Sequence, residues 1–243
     1  MAAGRPGFGM LLDGKYGREA LFEADKLGLW IGRPVEQPGS RPLEFEDGGS
    51  LGAKLVEWPL SHTVKCLCFY RPDDPPELKA RQERELVRLH DAARRIGREL
   101  LIEIVAGKHG TLEETTVADV IARLYGLGIK PDWWKLEAQS PAAWARIDAA
   151  IAAGDPLCRG VLVLGLEAPE AELAAAFRDA RGSAWVKGFA VGRTIFVEPA
   201  RRWFAGQGGD EEAVSAMAAA FGRLVEAWER AGRLDRGRGV SGG

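Results

Sequence analysis

The strongest constraint on the fold is an alternation. Short apolar runs recur along the chain, and each is followed by a longer amphipathic segment. The runs are Gly9–Asp13, Leu29–Val35, Thr63–Tyr70, Leu100–Val105, Asp132–Ala138, Gly160–Leu166 and Ala184–Phe196. Their spacing is that of βα units, on the order of thirty residues each. Strands apolar on both faces belong to a parallel sheet covered by helices. Helical spacing predicts helices over Arg18–Leu27, Thr116–Tyr125, Pro141–Ala153 and Pro169–Arg181. Asp74-Pro75-Pro76-Glu77 reads as an N-cap, two early prolines and a capping-box acid ahead of another helix. Asp210 reads as the cap of a last helix, with Val214, Met217, Phe221, Leu224 and Trp228 on one face. Arg33–Gly49, rich in Pro, Gly and charge, reads as a long loop. From Gly232 onward the chain reads as a disordered tail, leaving one domain over residues 1–231.

Composition narrows the partners. A chain of 243 residues with 46% hydrophobic and 28% charged side chains is that of a folded globular protein. A formal net charge of −2 gives no field to draw it onto nucleic acid or an anionic membrane. No apolar run approaches the ~20 residues that span a bilayer, and MAAGRPGFGM lacks the layout of a signal peptide. Cys66, Cys68 and Cys158 are too few for a disulfide framework and predict free thiols in a reducing, cytoplasmic compartment.

Two parallel architectures compete, the doubly wound sheet and the (β/α)8 TIM barrel. No GxGxxG or GxxxxGK[ST] loop follows an early strand, which weakens the nucleotide-binding open sheets. Charges inside the strands favour the barrel. Lys65 sits in TVKCLCF, Glu103 in LLIEIV, and Lys135 and Glu137 in WWKLEA. A lone ionised group in an apolar interior costs several kcal/mol. In a barrel, however, residues of one parity all point to the centre, so charges from different strands can meet. Lys65, Glu103 and Lys135 therefore predict one cluster in the lumen. Lys187, at the start of its run, reads as solvated. Cys66 and Cys68 lie on the face opposite Lys65 and read as small core residues against the helices.

Two lysines and a carboxylate suit imine chemistry. A lysine attacks a carbonyl only as the free amine, and burial beside a second cation lowers its pKa. Lys135 reads as the nucleophile, Lys65 as the neighbouring cation and Glu103 as the acid/base. No cofactor is required. His62, His90 and His109 have no metal-binding spacing, so no metal site is predicted. Gly165 and the pair Gly192-Arg193 end the last two strands, where barrels bind phosphate through backbone N–H groups. Glycine allows close approach and arginine adds a bidentate charge.

The segments GMLLDGKYG, IGRPVEQPGSRPLEFE, VKCLCFYRPDD, LLIEI, DWWKLEA, VLVLGLE and GFAVGRTIF occur in order from Gly7 to Trp228. Together they resemble the domain fused behind 5-dehydro-2-deoxygluconokinase in many bacteria. That domain is similar to the class I tagatose-1,6-bisphosphate aldolases, which are (β/α)8 barrels. The resemblance implies that Lys135 forms the Schiff base, that Glu103 moves protons, and that Lys65 matches the lysine of the family's V-K-x-L strand. It likewise matches Gly165, Gly192 and Arg193 to the phosphate-binding positions, and Asp13 to the D-x-x-Y-G pattern at the substrate end. It implies cleavage of 2-deoxy-5-keto-gluconate 6-phosphate to dihydroxyacetone phosphate and malonate semialdehyde in inositol catabolism. Arg33 would then pair with the substrate carboxylate, and a sugar kinase domain or chain would be the partner. Family members begin with a strand carrying Asp-x-Arg, which nothing ahead of Gly7 resembles, so the expectation is a barrel lacking its first strand. Two unpaired edges would invite association into a homo-oligomer. The rival expectation is a non-catalytic sugar-phosphate-binding module serving the kinase.

Overall fold

The computed structural model describes residues 7–46 and 51–236; for 233–236 only the backbone is described. Seven strands form one parallel sheet in sequential order: β1 (Gly9–Leu11), β2 (Trp30–Pro34), β3 (His62–Cys68), β4 (Leu100–Ile104), β5 (Trp133–Leu136), β6 (Gly160–Leu164) and β7 (Val186–Ala190). The helices between and after them are α1 (Arg18–Lys26), α2 (Leu51–Val56), α3 (Pro76–Arg95), α4 (Thr116–Gly126), α5 (Pro141–Gly154), α6 (Glu170–Ala180), α7 (Arg193–Phe204) and α8 (Asp210–Arg236). The result is a nearly closed, incomplete (β/α)8 barrel, as the sequence predicts.

Parity sorts each strand into a helix-facing and a lumen-facing set. Val64, Cys66 and Cys68 of β3, Ile102 and Ile104 of β4, and Trp134 and Leu136 of β5 pack outward with Leu86 and Leu89 of α3 and Trp144 of α5. Both cysteine thiols are buried there, as predicted, and Cys68 Sγ lies 3.6 Å from Gln82 Oε1 on α3. The opposite parity carries the charges. Lys187 is exposed on β7, and its Nζ donates to the Ala184 carbonyl at 2.8 Å.

Local chemistry departs from expectation in several places. Ser140 caps α5 by accepting the Ala143 N–H at 3.2 Å, with Pro141 in the first turn. Asp74 does not cap α3. Pro75 takes that position, while the Asp74 carboxylate pairs with Arg41 and accepts the Arg71 N–H at 3.0 Å. Asp210 is already helical, and its Oδ1 accepts the Trp203 indole N–H at 2.8 Å. The last apolar run is split. Only Val186–Ala190 is strand, because the Gly192 carbonyl accepts the Ile195 and Phe196 N–H groups and starts α7. The loop after β2 folds back through an antiparallel bridge between Glu36 and Phe45, and the unpredicted α2 follows it. Residues 47–50 of that predicted loop lie outside the described residues. Gly232 lies inside α8, which runs to Arg236 rather than ending before the predicted tail; residues 237–243 of that tail lie outside the described residues.

Among the described residues, neither β1 nor β7 has a strand partner on its outer edge. The seam between them is bridged by a helix side chain. Phe221 of α8 meets the Phe8 ring ahead of β1 at 5.5 Å and the Phe189 ring of β7 at 6.3 Å. Phe221 is half-buried, so Phe221→Ala is expected to cost about 2 kcal/mol, less than a fully buried phenylalanine. A chemical denaturation curve measures this. An unchanged midpoint would remove Phe221 from barrel closure.

Candidate active site

Three parallel strands bring the predicted cluster together. β3 pairs with β4 so that Lys65 lies opposite Leu101 and Leu67 opposite Glu103; β4 pairs with β5 so that Glu103 lies opposite Lys135. Lys65, Leu101, Glu103 and Lys135 therefore share the lumen face. Glu103 lies between the two lysines. Its Oε2 is 2.9 Å from Lys65 Nζ and its Oε1 is 3.0 Å from Lys135 Nζ. The side chains of Lys65, Glu103 and Lys135 are only 9%, 5% and 10% exposed, so their partners must be protein groups.

A fourth charge, which the sequence reading did not identify, completes the cluster. Glu36, just past β2, places Oε1 2.5 Å from Lys65 Nζ. It is buried, and its Oε2 also lies 3.3 Å from the Val35 N–H. The signal was available in RPVEQPG: Glu36 follows Gly32 and Pro34 at strand spacing, and Pro34 is the residue opposite Lys65. The result is a linear alternation, Glu36–Lys65–Glu103–Lys135.

This order separates the two lysines electrically. Burial pulls the Lys65 ammonium down, but Glu36 and then Glu103 outweigh it and hold Lys65 above the ordinary lysine value. Burial also pulls Lys135 down. There the single partner Glu103 opposes it, the Lys65 charge reinforces it, and the net value lies below that of an ordinary lysine. Burial pushes Glu103 up, yet Lys65 and Lys135 prevail and keep its carboxyl low. The site thus holds one lysine kept above the ordinary value, one kept below it, and a carboxyl held low between them.

The remaining candidates fall into two groups. Gly165, Gly192 and Arg193 come together on the adjacent loops after β6 and β7. A Cβ on Gly165 would lie 3.0 Å from both γ-methyls of Val191, so the glycine lets the two loops approach closely. Gly192 precedes α7, and Arg193 opens it. Arg193 Nη1 is 2.5 Å from Glu167 Oε1, an exposed pair that the sequence reading did not foresee. Glu167 and Leu166 both have positive φ, at 65° and 44°, in a turn closed by the Ala168 N–H on the Gly165 carbonyl.

Arg33 and Asp13 stand elsewhere. Arg33 lies opposite Val64, of the helix-facing set, and its guanidinium stacks 4.0 Å from the Trp58 ring centroid. It therefore faces away from Lys65, with Nη2 against Gly14 in the turn after β1; the strand parity that aims Lys65 inward aims Arg33 outward. Asp13 uses Oδ1 to accept the Lys15 and Tyr16 N–H groups at 2.8 and 2.6 Å, which closes its own turn. His109 sits on the exposed loop after β4, edge-on to Phe69 with ring centroids 5.4 Å apart.

The charge order makes opposite predictions for the two lysines. Lys65→Met leaves two buried carboxylates without their shared cation and is expected to cost about 3–5 kcal/mol. For Lys135, the folded value lies below the unfolded one, so burying its charge works against the fold, and stability rises with pH between the two values. Lys135→Met leaves Glu103 paired with Lys65 and is expected to melt no lower than the unsubstituted protein at pH 7. Calorimetry of both variants checks the order, and equal destabilisation would refute it.

Comparison with known proteins agrees with this architecture. No curated protein matches the chain by sequence. Among solved structures, it is similar to the fructose-bisphosphate aldolase of Plasmodium falciparum, at 14% identity and TM-score 0.66, covering 92% of this chain and 76% of that one. The structure of Cgl0159 from Corynebacterium glutamicum aligns at 21% identity and TM-score 0.60, over 92% of this chain and 73% of that one. A fructose-bisphosphate aldolase from Slackia heliotrinireducens aligns at 15% identity and TM-score 0.55, over 86% and 72%. At these identities the likeness is one of fold. The family model described as an uncharacterized protein conserved in bacteria, DUF2090, matches residues 1–232, and the chain belongs to that family.

Proposed function

We propose that this protein is a class I aldolase that cleaves a phosphorylated keto-sugar acid. The observation that carries the reading is the buried order Glu36–Lys65–Glu103–Lys135, in which one amine is kept charged and the other is biased toward its free base. The aldolase-type fold of the structural neighbours supports it. The Lys135 amine adds to the substrate ketone, and loss of water gives a protonated imine. Glu103 takes the proton from the hydroxyl β to the imine carbon. The carbon–carbon bond breaks, an aldehyde leaves, and the electron pair passes to the iminium nitrogen as an enamine. Protonation of the enamine carbon and hydrolysis release the second product and restore the amine. Lys65, charged and 2.9 Å from Glu103, stabilises the carboxylate and disfavours a second ammonium nearby.

The substrate we assign is 2-deoxy-5-keto-gluconate 6-phosphate, cleaved to dihydroxyacetone phosphate and malonate semialdehyde in inositol catabolism, with a sugar kinase as the partner activity in the cytoplasm. The assignment rests on the resemblance of the segments between Gly7 and Trp228 to the kinase-fused domain. Its C5 ketone and C3 hydroxyl stand in the β relation that the chemistry requires. Gly165, Gly192 and Arg193 serve the phosphate, and the phosphate displaces Glu167 from Arg193. Asp13 orders the turn at the mouth.

Borohydride added with this substrate is expected to fix a covalent adduct on Lys135, found by peptide mass spectrometry and lost in Lys135→Met. Glu103→Gln is expected to lower kcat by about 10²–10⁴-fold. A well-folded protein that binds the substrate yet forms no adduct would instead be a binding module. Glu167→Gln removes a competitor for Arg193 and should lower KM roughly two- to fivefold, the range of an exposed ion pair. A KM that rises would place the phosphate elsewhere.

A further inference from the structure

The candidate site leaves one buried carboxylate unassigned. Glu137 follows Lys135 by two residues on the same face and is 5% exposed. Its Oε2 accepts the Ala106 N–H at 2.7 Å and the Gly107 N–H at 2.9 Å; its Oε1 lies 3.2 Å from the same Gly107 nitrogen. The position of these amides is informative. The β4–β5 register ends at Ile104 opposite Leu136, and the Val105 N–H still bonds back to β3, on the Cys68 carbonyl. Ala106 and Gly107 are thus the first amides to leave the sheet, and Glu137 takes the place of the ladder there.

The loop is held from its carbonyl side as well. Arg71 Nη1 donates to the Ala106 carbonyl at 3.1 Å and to the Thr111 carbonyl at 3.0 Å. Space is tight: a Cβ on Gly107 would stand 2.8 Å from Glu137 Oε1 and 3.2 Å from a Leu112 methyl. Between these anchors lie Lys108, whose Nζ is 4.5 Å from the Phe69 ring centroid, and His109. Phe69, Val105 and Leu164 form a separate buried apolar cluster.

We infer that Glu137 is a positioning residue: by holding the two amides just beyond β4 it joins the C-terminal ends of β4 and β5, and so holds Glu103 at contact distance from Lys135. The inference rests on the class I reading of those two residues. Glu137 itself need not touch substrate. A displacement of about 1 Å in a reacting pair can cost a hundredfold in rate, and this contact supports the strands that carry the pair.

Two replacements separate positioning from proton transfer. Because Oε2 alone reaches both amides, Glu137→Gln can keep both hydrogen bonds through its carbonyl oxygen while losing the carboxylate. Glu137→Leu loses both. Glu137→Gln is expected to keep kcat within about threefold, and Glu137→Leu to lower kcat about a hundredfold with KM little changed. Without substrate, hydrogen exchange at Ala106 and Gly107 should be slow in the wild type and in Glu137→Gln, and fast in Glu137→Leu. If Glu137→Leu does not fold, Gly107→Ala displaces the contact from the loop side and is expected to give the same loss of kcat. Equal losses in the Gln and Leu variants would make Glu137 a proton carrier and overturn the inference. So would amides that stay protected in Glu137→Leu, or amides that open while kcat is unchanged. Wild-type protein that borohydride and substrate fail to label rejects the class I reading itself, and this role with it.

Discussion

Everything at the centre of the barrel depends on the carboxylate of Glu103 having a lysine on each side. A carboxylate this deeply buried is unstable alone, and so is either ammonium. Lys65 is shared by two carboxylates, Lys135 leans on Glu103 alone, and Glu36 terminates the row at the Lys65 end. Because the row ends on Lys135 and not on another acid, its two lysines are unequal. Lys65 has a carboxylate on each side; Lys135 has one. Ordinary electrostatics then holds one above the usual lysine value and the other below it. The difference between the two lysines follows from the order of four residues rather than from an unusual group.

The backbone arranges that order cheaply. Parallel strands of one register parity point alternate residues to the same lumen, so β3, β4 and β5 need no special geometry to bring Lys65, Glu103 and Lys135 together. What does need support is the end of the sheet, where the ladder stops. There side chains take over. Glu137 and Arg71 hold the loop after β4 by its amides and carbonyls, and the Gly165–Ala168 turn sets Glu167 against Arg193.

Period and parity were legible in the sequence, and side-chain partners across loops were not. The seven strand-sized runs each contain a strand, because an apolar run bounded by helices has few other fates. The buried lysines and glutamate stood out because charge inside such a run demands a partner. The role expected of Arg33 came from the resemblance and not from parity. It too sits in a strand, but its parity is opposite, and its guanidinium stacks on the Trp58 ring on the helix side. Glu36 escaped notice because it lies in a segment that reads as loop, although its spacing from Pro34 points it at Lys65. The capping role expected of Asp74 failed because Arg41, distant in sequence, competes for the same carboxylate. The end of the last strand failed because Thr194, Ile195 and Phe196 are β-branched or aromatic, and the propensity of those three residues was overruled by the turn at Gly192.

The seam between β1 and β7 has a consequence for how such a protein can be tuned. Around most of the circumference, the spacing between neighbouring strands is fixed by backbone hydrogen bonds and cannot vary with sequence. At the seam, the join is three aromatic rings, one of them carried by a helix on the outside. The join is therefore made at that point by the bulk of a side chain that belongs to neither strand. Substitution at Phe221 of α8 can alter how β1 and β7 are joined while every group inside stays the same.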